Sequence, residues 1–508
     1  MENPLWKFAI VALVAVGSAS CSEVESAGGT VPLYSDLGTY HYAISTDVPA
    51  TQDYFDQGMR LYYAFNHAEA IRAFREAARL DQACAMCYWG IALSYGPNIN
   101  LPQDSASAVA AYEAVQEASA LADNANPRKH ALIDALATRY AAEPPANRAE
   151  LDSAYVEAMR GVVTTYPDDL VAATLYAEAM MDLSPWNYWE QDGSPRPHTE
   201  EVLEQLERVL AVAPDHPGAN HFFIHAVEAV DPARAVPMAE RLAGQMPGAG
   251  HLVHMPGHIY VRVGRYEDAI IANEHALHAD ETFIRDQNPA TGVYTVGYYP
   301  HNFDFLAFAA SMIGRSEQTI SAVDSMVAAV PSEMIGAPGM SMLQNLTMRP
   351  LQMRIRFARW DEILATPEPA ADLPHSRAIW QYARGRALIA TGDLAGARAA
   401  LTQVQKAARD PQLNDLPLEF NTSGAVLSIA ERVLAGHIAA RSGDYPEAIA
   451  LLTEAVNRED GLTYGEPPNG RFPSARSSAS FSWLRTARPR PSRRSARTWS
   501  DSPTMDGP

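Results

Sequence analysis

Four stretches of this chain repeat one spacing. A glycine is followed at twelve by an alanine, at sixteen by a larger side chain and, in three of the four, at nineteen by another alanine. Gly58, Ala70, Phe74 and Ala77 fit it, as do Gly257, Ala269, Asn273 and Ala276; Gly385, Ala397 and Leu401 fit it in part, and Gly436, Ala448, Leu452 and Ala455 complete the set. Small residues at such separations let two antiparallel helices cross closely, and the larger residue fills the gap beside the crossing. A spacing that returns along the chain asks each helix pair to bury its open face on the next pair.

Helix hairpins of about 34 residues with this pattern are the tetratricopeptide (TPR) signature. Gly264-Arg265-Tyr266, Gly392-Asp393-Leu394 and Gly443-Asp444-Tyr445 read as the turns between paired helices. No stretch alternates well enough to predict a sheet. The expected fold is all-α, a TPR-type solenoid winding as a right-handed superhelix over residues 51–467. It is interrupted at 96–107, 182–198 and 283–300 by insertions rich in Pro, Gly, Asn and aromatic residues. Insertions in solenoids project from one face, so Trp186, Tyr188, Trp189, Tyr294, Tyr298 and Tyr299 either wall a pocket or pack the insertions onto the body.

The two ends read differently from the body. Residues 1–21 combine one Lys, an apolar run from Phe8 to Val16, small residues and Cys21. That is a secretory signal, too short to span a bilayer, and Ser18-Ala19-Ser20-Cys21 resembles a lipobox with Ser18 where Leu is usual. The chain is therefore expected to be exported to the cell envelope or periplasm, anchored to the membrane if Cys21 carries lipid, with residues 22–50 forming an extended N-terminal segment. From Arg471 the helical spacing stops. Residues 468–508 are either a disordered Arg/Ser/Pro-rich tail or the product of a one-base shift in reading frame. The second fits better, because a permitted choice of codons restores a further hairpin.

Cys84 and Cys87 stand three apart. In an oxidising compartment they could pair or cycle as a redox couple, although two small buried residues on one helix is the simpler reading. A formal net charge of −21, from 39 basic and 60 acidic residues, argues against a nucleic-acid partner.

Eight of the fifteen histidines lie between His216 and His278. His221, His225 and Glu228 share one helix face, and His254 with His258 follows almost one repeat later, so His225 and His258 are expected side by side on adjacent first helices. Pro256 must kink the second helix or start it after His254. With His301 and Asp304 from the next hairpin, these residues form a candidate cluster for a divalent transition metal: zinc, iron, copper or manganese. Glu228 is the candidate catalytic base. A second polar group, His41, Asn66, His67, Asn98 and Asn100, lies near the first hairpin, although Asn66-His67 also suits the inter-helix turn.

The stretches "LSPWNYW", "HPGANHFFIHAVEA", "PGAGHLVHMPGHIYVRVGRYEDA" and "YYPHNFDFL" resemble a bacterial family of exported TPR proteins of undefined activity. The resemblance covers about residues 35–467 and implies a solenoid. One departure is Asp304, where the family pattern has a second histidine. Two functions follow from different classes. The favoured one is a scaffold whose concave groove binds a protein or peptide partner. The other is a metal-dependent enzyme or metal carrier built on the histidine cluster.

Overall fold

The computed structural model describes residues 31–467; the expected signal with Cys21, residues 22–30 and residues 468–508 lie outside the described residues. The body is an all-α solenoid of helix hairpins, as the repeat predicts. Its first hairpin pairs Pro49–Tyr63 with His67–Leu80, and its last pairs Ser423–Arg441 with Tyr445–Asp460. Helix therefore begins two residues before the expected boundary.

The repeated spacing does what its sterics require. A Cβ on Gly58 would lie 2.5 Å from the Phe74 ring, and one on Gly436 would lie 2.8 Å from Leu452, in each case the side chain sixteen residues on. Glycine at these crossings is what lets the paired helices approach. Gly264, Gly392 and Gly443 all have positive φ, 80°, 95° and 86°, so each supplies the left-handed residue that ends one helix before its partner begins.

Two large apolar cores, with a small third one around Val296, Val330, Met340 and Leu343, run along the array. One extends from Leu37 through the hairpins to Met353, and the other joins Leu351 to Ala455 in the C-terminal hairpins. The only strands among the described residues are Pro417–Leu418 and Asn421–Thr422, a two-residue antiparallel pair.

The array curls far enough for distant parts to meet. Residues 31–48 run along the inner side without helix. Asp36 accepts from the Gly248 amide at 2.9 Å, Tyr40 packs edge-on against Tyr63 and His216, and Tyr42 donates to Asp169 at 2.9 Å. From the other end, Phe420 reaches Trp186, with ring centroids 5.2 Å apart. All three insertions converge on Asn100, whose side chain accepts from Trp186 Nε1 at 2.9 Å and donates to the Tyr298 hydroxyl at 3.4 Å.

Cys84 and Cys87 are joined as a disulfide at the start of helix Ala85–Ser94. The reading of two separate buried thiols is thereby corrected.

Candidate metal centre

Helix Pro217–Val227 carries His221 and His225 one turn apart, and Glu228 follows at its C-terminal cap. The next first helix is broken by Pro256. Gly250–His254 ends, Met255 links, and Pro256–Arg262 begins. Met255 keeps helical angles, so the break leaves His254 and His258 facing one way, with ring centroids 4.7 Å apart. Across the two helices His225 and His258 lie 5.4 Å apart, side by side as the repeat length requires.

Glu228 fixes the tautomers at the centre. One carboxylate oxygen takes His225 Nδ1 at 3.0 Å and the other takes His258 Nδ1 at 2.6 Å. Burial alone would push this carboxyl up, but the His258 and His225 N–H groups hold it down at about 2. Being ionised, it accepts only, so both Nδ1 atoms carry protons. His254 is fixed by Asn273. Its Nδ1 lies 2.7 Å from Asn273 Oδ1, and the amide is oriented by Asn273 Nδ2 donating to the Ala269 carbonyl at 2.7 Å. His221 Nδ1 donates to the Tyr63 carbonyl at 2.8 Å.

Two sets of three imidazoles result, His221 with His225 and His251, and His254 with His258 and His301; in each set the candidate ligand atoms lie within 4.8 Å of one another. In the second set His254 Nε2 and His258 Nε2 stand 2.8 Å apart, with both Nδ1 protons already committed. Only a positive charge between them relieves this, either an extra proton on one ring or a metal ion. In the first set His221 Nε2 lies 3.2 Å from His251 Nε2, while His225 Nε2 and His251 Nδ1 are buried without a hydrogen-bond partner.

Burial pushes the pKa of His221, His251 and His254 well below the usual imidazole value, and the neighbouring rings push the same way. His225 is lowered by burial against the pull of Glu228. These rings are neutral at physiological pH, the state in which imidazole binds metal.

The surroundings are aromatic. Phe65 lies over His221 and His251, Trp186 stands edge-on to His225, Tyr298 covers His251, and Phe305 packs on His254, His258 and His301. Tyr298 closes a π-helical turn, Tyr294–Tyr298. That turn is pinned by buried Asp280, which accepts from Tyr294 and Asn302 at 2.6 and 2.7 Å and whose pKa burial pushes up to about 7. Five of the six rings are buried, and His301 is partly exposed.

The other sequence candidates separate. Asp304 is not in either set; its carboxylate faces Arg349 Nε, from helix Arg349–Arg356, at 3.3 Å. Tyr299 packs on Phe303 and reaches toward Glu281 at the surface. Trp189 anchors its insertion by donating to the Ala226 carbonyl at 2.8 Å, and Tyr188 is buried nearby. The second polar group does not assemble. His41 is exposed and pairs with Asp56 at 2.6 Å, while Asn66 caps helix His67–Leu80. His67 stacks on Tyr62, its pKa lowered by burial to about 4. Asn98 accepts from the amides of Asn100 and Leu101 in a tight turn.

Sequence reasoning missed His251, although it precedes His254 by only three positions. It also missed Asn273 as an orienting group and Glu466, which lies 3.7 Å from His258 Nδ1.

No family model matches the chain, and no curated protein matches it. Similar solved structures include the human IFIT1 dimer with m7Gppp-AAAA, at 12% identity over 90% of this chain and 95% of that one with a TM-score of 0.37. Yeast Tom70 is 10% identical over 86% and 95%, with a TM-score of 0.32. The Cut9 and Hcn1 hetero-tetramer of the APC/C is 12% identical over 80% of this chain and 66% of the other, with a TM-score of 0.33. The chain thus spans just under two thirds of that last protein's length.

Proposed function

We propose that this protein is a transition-metal-binding helical solenoid. Its two histidine sets, His221, His225 and His251 on one side and His254, His258 and His301 on the other, are the ligands, and Glu228 orients both. The observation that carries this reading is the 2.8 Å approach of His254 Nε2 to His258 Nε2, with both Nδ1 protons committed elsewhere. A shared proton would relieve one such pair. It would not account for a third imidazole beside it, nor for a second set one repeat away. Glu228 is thereby an outer-sphere partner of the kind that fixes ligand orientation, rather than a free catalytic base.

The test is elemental analysis of the untagged protein after desalting. The expected result is stoichiometric metal, lost when His254 and His258 are both replaced by Ala while the helical circular dichroism is kept. A metal-free protein that binds no added zinc or copper removes the reading. Export belongs to the same reading on the strength of residues 1–21, with their apolar run and Cys21. In the same sample, a mature N-terminus at Cys21 supports export and lipid attachment, and retention of Met1 opposes them.

A partner-binding role is favoured by a different observation. The stretch of inner face around the histidines is filled by the chain's own Phe65, Trp186 and Tyr298. An open cleft of about 550 Å³ lies instead along Arg75, Arg79, Tyr88, Ile91 and Tyr95. A peptide partner held there would be released by Tyr88→Arg with no change in metal content, and a partner that survives this change does not use the cleft.

A further inference from the structure

We infer that Asp280 is the positioning residue for the third imidazole of each histidine set, one buried carboxylate holding the segments that carry His251 and His301. This deepens the metal-binding reading and rests on it.

Four of the six rings have orienting partners of their own. Glu228 holds His225 and His258, Asn273 holds His254, and the Tyr63 carbonyl holds His221. The third rings arrive differently. His251 is the second residue of the short helix Gly250–His254, whose N-cap Ala249 makes no side-chain cap. Its Nδ1 is buried without a hydrogen-bond partner, and its Nε2 meets only the facing ring of His221. His301 stands in the first turn of helix Tyr299–Met312. The first turn of a helix lacks internal partners for its N–H groups, so a ring there is placed by whatever fixes that end.

Asp280 fixes both ends. It lies on helix Tyr266–Gln287 with no exposed surface. Its Oδ2 accepts from Asn302 Nδ2 at 2.7 Å, and Asn302 follows His301 in the chain. Asn302 is itself buried and its Oδ1 has no partner, so this bond is what ties its side chain. The other oxygen lies against Gly250, the residue before His251. A Cβ there would stand 1.8 Å from Asp280 Oδ1, so only glycine lets the helix start come this close. Oδ1 also accepts from the Tyr294 hydroxyl at 2.6 Å. That bond anchors the first residue of the π-helical turn whose last residue, Tyr298, lies over His251 with centroids 4.5 Å apart. Burial of a carboxylate opposes folding, and here two donors rather than a cation offset it. Both donors belong to the segments that bring in the third rings.

The full-length untagged protein loaded with zinc is the sample, and chelator competition is the measurement. Asp280→Ala should weaken zinc binding about 10–100-fold, the loss typical of removing an orienting partner. Asp280→Asn should keep most of the affinity, because an amide still accepts from Tyr294 and can donate to Asn302 Oδ1 once that side chain turns over. Two finer variants leave the carboxylate in place and separate the ends. With His254→Ala, which leaves the first set whole, Tyr294→Phe should weaken zinc binding and Asn302→Ala should not. With His221→Ala, which leaves the second set whole, the order should reverse; a merely structural role would move both backgrounds alike. Equal effects in the two backgrounds, or Asp280→Asn as weak as Asp280→Ala, overturn the positioning role while leaving metal binding intact. Unchanged affinity in a folded Asp280→Ala protein does the same. Failure of the parent protein to retain zinc overturns the metal-binding reading itself.

Discussion

Glu228 is the residue on which the geometry of the centre turns. It is buried between two first helices and accepts one hydrogen bond from each. A carboxylate can do this for two N–H groups at once; an amide cannot, since one of its two ends donates. Glu228→Gln keeps the shape but confronts either His225 or His258 with an N–H group. That ring must move its proton to Nε2 or turn away, and in both cases its lone pair leaves the ligand set. Loss of such an orienting partner typically costs about 10–100-fold in metal affinity, and we expect a loss of this size in chelator competition. An unchanged affinity would mean that Glu228 serves packing only.

At the scale of helices and hairpins, much was legible in the sequence, and the reasons are steric. Gly58 with Phe74 and Gly436 with Leu452 meet at the spacing that marks them, because a close helix crossing admits few alternatives. The i, i+4 pairs His221 with His225 and His254 with His258, one repeat apart, placed four rings on neighbouring faces for the same reason. What the spacing did not show was His251, the third member of the first set, whereas His301, the third member of the second, was among the expected ligands. His251 was overlooked because the reading followed pairs four apart and it stands three before His254; Met255 keeps its helical angles and carries the face through to His258. Asp304 was paired with His301 because they share a helix, but Arg349 from a later hairpin captures its charge. Asn273 was legible as the large residue of the spacing and not as the group that orients His254. Both roles have one cause, since Gly257, sixteen residues earlier, leaves room for the amide at the crossing.

The curl of the whole molecule determines what can reach the centre. Phe65 comes from the first hairpin, Trp186 and Tyr298 from two insertions, and Glu466 from the end of the described chain; they are separated by up to about four hundred residues and meet around six imidazoles. Pairing rules act locally, so no repeat spacing encodes this closure. It depends on the summed rotation of successive hairpins and on polar ties such as Asn100 to Trp186 and Tyr298. The same closure makes metal exchange a matter of local opening. Trp186 touches both His225 and Phe420, with centroids 5.0 and 5.2 Å away, so it ties the histidine cluster to the C-terminal hairpins. Replacing it by Ala removes both contacts while leaving every proposed ligand residue in the sequence. If opening becomes about 1.4 kcal/mol easier, exchange accelerates about ten-fold. We therefore expect a chelator to strip metal from Trp186→Ala about ten times faster than from the parent protein, with the same metal content at saturation. Equal rates would place the exchange route elsewhere, with the partly exposed His301 as the remaining entry.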